Sequence, residues 1–239
     1  MKAYVPDENL YPAILELFGQ PPNGKILDAP SGQGAFALEL VKRGYNNIYC
    51  SDINSDDFRL DAVKFVQHDA QNPLPFPDNY FDYIFSVEGL EHFEAPFFFV
   101  KELCRVLKTS GRVYITTPNT FSVDARIKYL LSGYFPRFKA LMYNPYKVME
   151  QSVDQAHISP IYFWQLNFFL SQAGVKITRI STNNLLYKPQ WYKRIIENLI
   201  ASLIRNNIKK RNFPDKGASS GAVLFGDCLI VEGIKQGYI

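Results

Sequence analysis

Short apolar runs rich in β-branched and aromatic residues alternate along the chain with longer stretches whose apolar residues recur every three or four positions. This is the pattern of a doubly wound α/β sheet with helices on both faces. The spacing predicts strands at 24–29 (GKILDA), 47–51 (NIYCS), 63–68, 81–87 (FDYIFSV), 111–117 (GRVYITT) and 175–181, and a long last strand or hairpin arm over 223–234. Helices are expected at 34–43, at 96–107 with Pro96 in the first turn, and at 161–173, closed by Gly174. Between 188 and 212 the apolar pairs Trp191-Tyr192, Ile195-Ile196, Leu199-Ile200 and Leu203-Ile204 recur at helical spacing, which predicts one more amphipathic helix with a wide apolar face.

Composition narrows the class. The chain has 239 residues, 47% hydrophobic and 21% charged, enough for one large domain with a substantial core and too apolar for a disordered chain. The densest aromatic cluster, 95–100, is far shorter than a bilayer span, and residues 1–20 lack the pattern of a secretory leader, so a cytoplasmic location is expected. Cys50, Cys104 and Cys228 sit apart in apolar stretches and are expected to be reduced core thiols. The net charge of +3 hides an asymmetry. Residues 188–216 hold eight bases and two acids, leaving 18 bases and 21 acids in the rest.

The first predicted strand runs into Pro30-Ser31-Gly32-Gln33-Gly34-Ala35-Phe36-Ala37, a glycine-rich turn that lets a ligand approach the backbone at a helix N-terminus. Gly32-x-Gly34-x-x-Ala37 also fits a dinucleotide fingerprint, which keeps a nicotinamide-dependent oxidoreductase open. Asp28 closes the strand before the turn, where a carboxylate suits either a hydrogen-bond donor or a cationic ligand across the loop. Asp52 closes the next strand, where it suits the two hydroxyls of a ribose. The plain alternative is a tight strand–helix turn with two surface carboxylates.

At this point the sequence resembles the class I methyltransferases that use S-adenosylmethionine. ILDAPSGQG is similar to that family's first motif, SDI to its second, QHDAQNPLPFPDNYFDYIFSVEGLEHF to its third and fourth, and KELCRVLKTSGRVYITTPN to the helix and strand that follow. The resemblance is strong over 25–119 and weaker beyond. It implies a Rossmann-like, mostly parallel seven-stranded sheet with an antiparallel last strand and, here, a helical insertion before it. It also implies S-adenosylmethionine as cofactor, with Asp28, Gly32 and Gly34 at the methionine end, Asp52 at the ribose and Asp69 with Ala70 at the adenine; Pro30, Ile53 and Val87 join that binding set. Two departures stand out: Pro30 replaces the family's first glycine, and the crossover from Asp52 to Val63 has room for barely one short helix.

Methyl transfer needs donor and acceptor held in line, and an oxygen acceptor must also lose a proton. Of three histidines, His68 is expected on the adenine side, His92 lies just past the fourth strand, and His157 precedes a helix expected to be capped by Ser159 with Pro160 at its first position. The resemblance implies that a histidine occupies a similar place in many small-molecule relatives and acts as general base in some, so His157 is the candidate base and His92 the second catalytic candidate. Glu88, Glu91 and His92 share one face if their segment is helical, a weak ligand set for a divalent cation that the same resemblance suggests. The cofactor core is expected over 24–119. An aromatic acceptor lid containing Tyr129, Tyr134, Phe135, Tyr143, Tyr146 and Trp164 is expected over 120–173, and a basic amphipathic insertion over 188–221. The expected partner is a small-molecule, glycan or lipid-linked acceptor; the insertion suits a membrane surface, a second copy or the chain's own pocket better than a nucleic acid. A silent cofactor-binding scaffold is the alternative from another class.

Overall fold

A computed structural model describes residues 7–19, 21, 23–138, 157–186, 190–213 and 216–237. Its centre is one seven-stranded sheet of β1 (Ile26–Asp28), β2 (Ile48–Asp52), β3 (Lys64–Gln67), β4 (Phe81–Ser86), β5 (Leu107–Pro118), β6 (Val175–Thr182) and β7 (Cys228–Lys235), in the order β3-β2-β1-β4-β5-β7-β6. The five strands from β3 to β5 pair in parallel, and β7 inserts antiparallel to both β5 and β6. The expected fold class holds. Strand order reverses between β1 and β4, and in open α/β sheets the crevice at such a switch point receives the ligand.

Helices cover both faces: α1 (Leu10–Phe18), α2 (Ala35–Lys42), α3 (Pro96–Val106), α4 (Val123–Ser132), α5 (Phe163–Gln172), α6 (Trp191–Lys210) and α7 (Gly221–Phe225). One core layer packs α3 and α5 on the sheet through residues such as Phe99, Leu103, Leu166 and Leu170. The opposite layer packs α1 and α2. Phe18 of α1 is central there, with its ring within 5.4 Å of those of Tyr45, Tyr83, Phe85 and Tyr114. The three cysteines are buried and free, as expected.

The structure departs from the local expectations at several points. Residues 221–225 are helical, so the last strand starts only at Cys228. Ser220 caps that helix through the Val223 amide, and a Cβ on Gly226 would fall 2.3 Å from the Ala222 carbonyl, which holds the chain in a tight corner before the strand. The helix expected from Ile161 begins at Phe163 with Tyr162 as its N-cap. Ser159 does not cap it; its hydroxyl donates instead to the Phe93 carbonyl at 2.6 Å, because that loop is tied to the turn after β4. The α1 helix and α4 were not anticipated, and the crossover after Asp52 holds turns rather than a helix.

Candidate active site

The strands β1, β2 and β4 end along one edge, and the loops after them enclose a cavity of about 1340 Å³ at the switch point. Asp28, Pro30, Gly32, Asp52, Ile53, Asp69, Ala70, Val87, His92 and His157 all line it, although they come from six separate stretches of chain. Gly34 turns away: it is the N-cap of α2 at φ +85°, and a Cβ there would meet Phe58 at 3.0 Å. Pro30 follows a cis peptide bond and packs on Gly89, where a Cβ would fall 2.4 Å from the ring.

The glycine loop is shaped by the acid opposite it. The Gly32 amide donates to Asp52 Oδ2 at 2.8 Å and the Asn54 amide to Oδ1 at 3.2 Å, while Ser31 donates to the Ser51 carbonyl at 3.0 Å. Gly32 has φ +50° with open space on its Cβ side, so the backbone itself forms the wall there. Further along, Asp69 Oδ1 accepts the Gln71 amide at 2.9 Å, Gln67 donates to the Ile53 carbonyl, and His68 Nε2 lies 3.0 Å from the Pro73 carbonyl.

Asp28 differs from all of these. It is 1% exposed and neither carboxylate oxygen meets a hydrogen-bond partner. Burial, and then the charge on Asp52, push its pKa well above the usual carboxylate range. A partnerless buried carboxylate is costly unless a cation or donor arrives to satisfy it.

At the other end of the cavity the structure rearranges the expected triad. Residues Leu90–His92 form a single 3₁₀ turn and Glu88 adopts φ +49°, so Glu88 and Glu91 take different surroundings. Glu88 accepts the Thr116 hydroxyl at 3.1 Å and lies 3.4 Å from Arg137, which also reaches Asp227 and, at 3.1 Å, Cys228 Sγ. Burial outweighs the pull of Arg137 and lifts Glu88 to about 7. Glu91 instead joins the two histidines: ligand-type atoms of Glu91, His92 and His157 all lie within 4.8 Å of one another, and the two imidazoles meet edge to face at 4.8 Å. The Glu91 carbonyl accepts both the Ile158 and Ser159 amides, at 2.8 and 2.9 Å, which fixes the His157 loop against it. Its carboxylate is fully buried without a well-formed hydrogen bond, and burial followed by the Glu88 charge raises its pKa well above the ordinary value against a weaker pull from the Thr117 hydroxyl. Burial, then His92 and Arg137, lower His157 to about 4, so the imidazole is neutral above that pH.

Among the described aromatic residues expected to form a lid, Tyr129 and Phe135 stack on each other and Trp164 packs on Phe163 and Phe213; Tyr143 and Tyr146 lie outside the described residues. Among the described residues of 120–173, Arg137, His157 and Ile158 reach the cavity. Sequence reading passes over Arg137 because no motif surrounds it. A single arginine at φ +68° between proline and phenylalanine carries no periodic signal.

Residues 27–115 match the model of a methyltransferase domain. The chain is 31% identical over 104 residues to a ubiquinone/menaquinone biosynthesis C-methyltransferase of Chromobacterium violaceum, covering 38% of this chain and 41% of that one. A protein of the same name from Rickettsia massiliae is 38% identical over 106 residues, covering 38% and 42%, and a sterol 24-C-methyltransferase of Gibberella zeae 31% identical over 106, covering 39% and 27%. The chain thus spans less than half the length of these curated relatives. Its fold matches a SAM dependent methyltransferase from Archaeoglobus fulgidus with a TM-score of 0.54 at 21% identity, over 88% of this chain and 86% of that one. A cyclase, SpnF, has the same fold with a TM-score of 0.56 at 18% identity, over 90% and 76%. Residues 27–115 thus resemble a methyltransferase domain, and the chain shares the fold of solved S-adenosylmethionine-dependent methyltransferases.

Proposed function

We propose that the chain transfers a methyl group from S-adenosylmethionine to a small-molecule acceptor, with His157 taking the acceptor's proton. The observation that carries the cofactor half is Asp28: a buried, partnerless carboxylate on the cavity floor suits the cationic methionine end. Gly32 leaves that end room against the backbone, Asp52 offers its remaining lone pairs to the ribose, and Asp69 with Ala70 and Ile53 flanks the place for the adenine. When bound, the cofactor supplies an electrophilic methyl group on a sulfonium.

The acceptor side is built from His157, His92, Arg137 and the apolar Phe93, Phe99 and Ile158. Neutral His157 keeps a lone pair for a proton, and its Nδ1 is buried without a partner. A base is needed whether the acceptor atom is oxygen or, as the names of the relatives suggest, carbon. The clustering of Glu91 with both histidines supports a second reading of this end as a divalent-cation site. Methyl transfer that survives thorough chelation assigns the cluster to proton chemistry alone.

Calorimetry with S-adenosylmethionine and with NAD tests the cofactor half. Binding of the first and not the second is expected, and Asp28→Asn is expected to weaken it by about tenfold or more without loss of stability, since the substitution removes a buried acid that has no partner. Binding of NAD instead would restore the oxidoreductase reading. Tight cofactor binding with no transfer to any member of a broad acceptor panel would favour a silent scaffold.

A further inference from the structure

The helix α6 takes no part in the site described above, and we propose that its outer face docks the protein on an anionic lipid surface. Twenty residues long, it turns Glu197 and Ala201 inward, with Ile200 and Ile204 partly buried against Val123 and Ile127 of α4 and Leu224 of α7. At about 100° per residue, Trp191, Tyr192, Ile195, Ile196, Leu199 and Leu203 fall on the opposite side, within an arc of roughly 140°. All six are exposed, Trp191 at 73% and Leu203 at 69%. On the neighbouring α4, Leu130 and Leu131 are exposed at 83% and 79%. A surface helix ordinarily turns one apolar stripe to the core; α6 does so and carries a second, wider one toward solvent.

The charges frame that second stripe. Arg194 and Arg205 border it on one side and Lys193 on the other, while Lys209, Lys210 and Arg211 close its C-terminal end, and all six are exposed. Glu197, the acid of this helix, is buried beneath it. A helix with an apolar face, basic flanks and a Trp-Tyr pair at one end fits the boundary between anionic headgroups and acyl chains, lying flat in the interface. Among the described residues no helix is long and apolar enough to cross a membrane. Charge argues against a second copy as occupant, because two-fold pairing would set the same six bases against one another. A nucleic acid would turn the apolar stripe onto phosphates and offer it no stacking platform.

Sedimentation of the purified full chain with phosphatidylcholine vesicles, with and without phosphatidylglycerol, tests this independently of methyl transfer. Binding to the anionic vesicles is expected to be at least about tenfold tighter than to the neutral ones and to weaken with salt. The double substitutions Leu199→Asn with Leu203→Asn, and Lys209→Gln with Lys210→Gln, are each expected to lower it by about tenfold while leaving the melting temperature unchanged, since all four side chains are exposed. Equal binding to neutral and anionic vesicles, or undiminished binding by both variants, overturns the proposal. So does a chain that ignores vesicles, whether it then dimerises through Leu199 and Leu203 or is retained by a nucleic acid or an acidic polypeptide.

Discussion

Glu232 and Glu91 are both fully buried, and their surroundings could hardly differ more. Glu232 on β7 is met by Arg112 at 2.6 Å, the Tyr114 hydroxyl at 2.9 Å, the Thr178 hydroxyl at 3.1 Å, and Arg179. Burial works to raise its pKa, yet the hydrogen bonds from Arg179, Arg112 and Tyr114 win and hold it near 2. Glu91 lies beside the cavity with no well-formed hydrogen bond on either oxygen, the Thr117 hydroxyl offsetting burial only in part, and is pushed the other way. The same residue type at the same depth therefore plays two parts. Glu232 ties three strands together as a fixed charge, whereas Glu91, like Asp28, retains unused hydrogen-bonding capacity at the cavity where we place the ligand and the proton transfer.

The largest effect expected is on Glu232. Glu232→Gln strands two arginines and is expected to cost about 3 kcal/mol in denaturant unfolding, the low end for a buried pair because both arginines reach solvent. The sign with pH follows from its lowered pKa. The gap between wild type and variant is full above the ordinary value of 4.5 and closes as pH falls toward about 2. A gap that persisted at pH 2 would mean the packing, not the charge, is what matters.

His157→Ala is expected next, lowering turnover by roughly 10²-fold with cofactor affinity retained. Unchanged turnover would remove His157 from the mechanism. Its pH signature is separate: with the imidazole lowered to about 4, turnover between pH 5 and 8 is expected to show no limb at the ordinary value of 6.5, because the lone pair is already free there. A limb at 6.5 that persists in Glu88→Gln, which removes the cavity acid lifted to about 7, would show that the ring is solvated during turnover.

Smallest is Glu91→Gln, expected to stay within about 1 kcal/mol of wild type near pH 4.5, where the acid in the folded chain is still protonated and no charge is lost. Its pH trend should oppose that of Glu232. A raised pKa stabilises the fold below 4.5 and withdraws that stability as pH rises, so the variant gains on the wild type with increasing pH. Parallel trends for the two variants would erase the distinction between them.

Much of this architecture was legible because it rests on local rules. Continuous apolar runs mark buried parallel strands, and Asp28, the glycine turn and Asp52 stand at strand ends in an order and spacing that only one binding edge accommodates. At 223–225 the expected strand gives way to a helix because a short apolar run suits a strand or a buried helix equally, and the Ser220 cap and the crowded Gly226 corner decide between them. The partnership of Glu91 with His157 was hidden for another reason: 66 positions separate them, and the long-range bonds from Ile158 and Ser159 to the Glu91 carbonyl bring them together.

The basic helix shows where the division falls. Its existence, its length and its charge follow from the 3.6-residue recurrence of apolar pairs and the run of lysines and arginines, all of which are properties of neighbouring residues. Which of its two apolar stripes is buried does not follow, because both have the right period. Packing on Val123 and Leu224 selects the side of Ala201 and leaves that of Trp191 and Leu199 to the solvent. Periodicity is a property of the chain alone; burial is a contest among surfaces that meet only in the folded molecule.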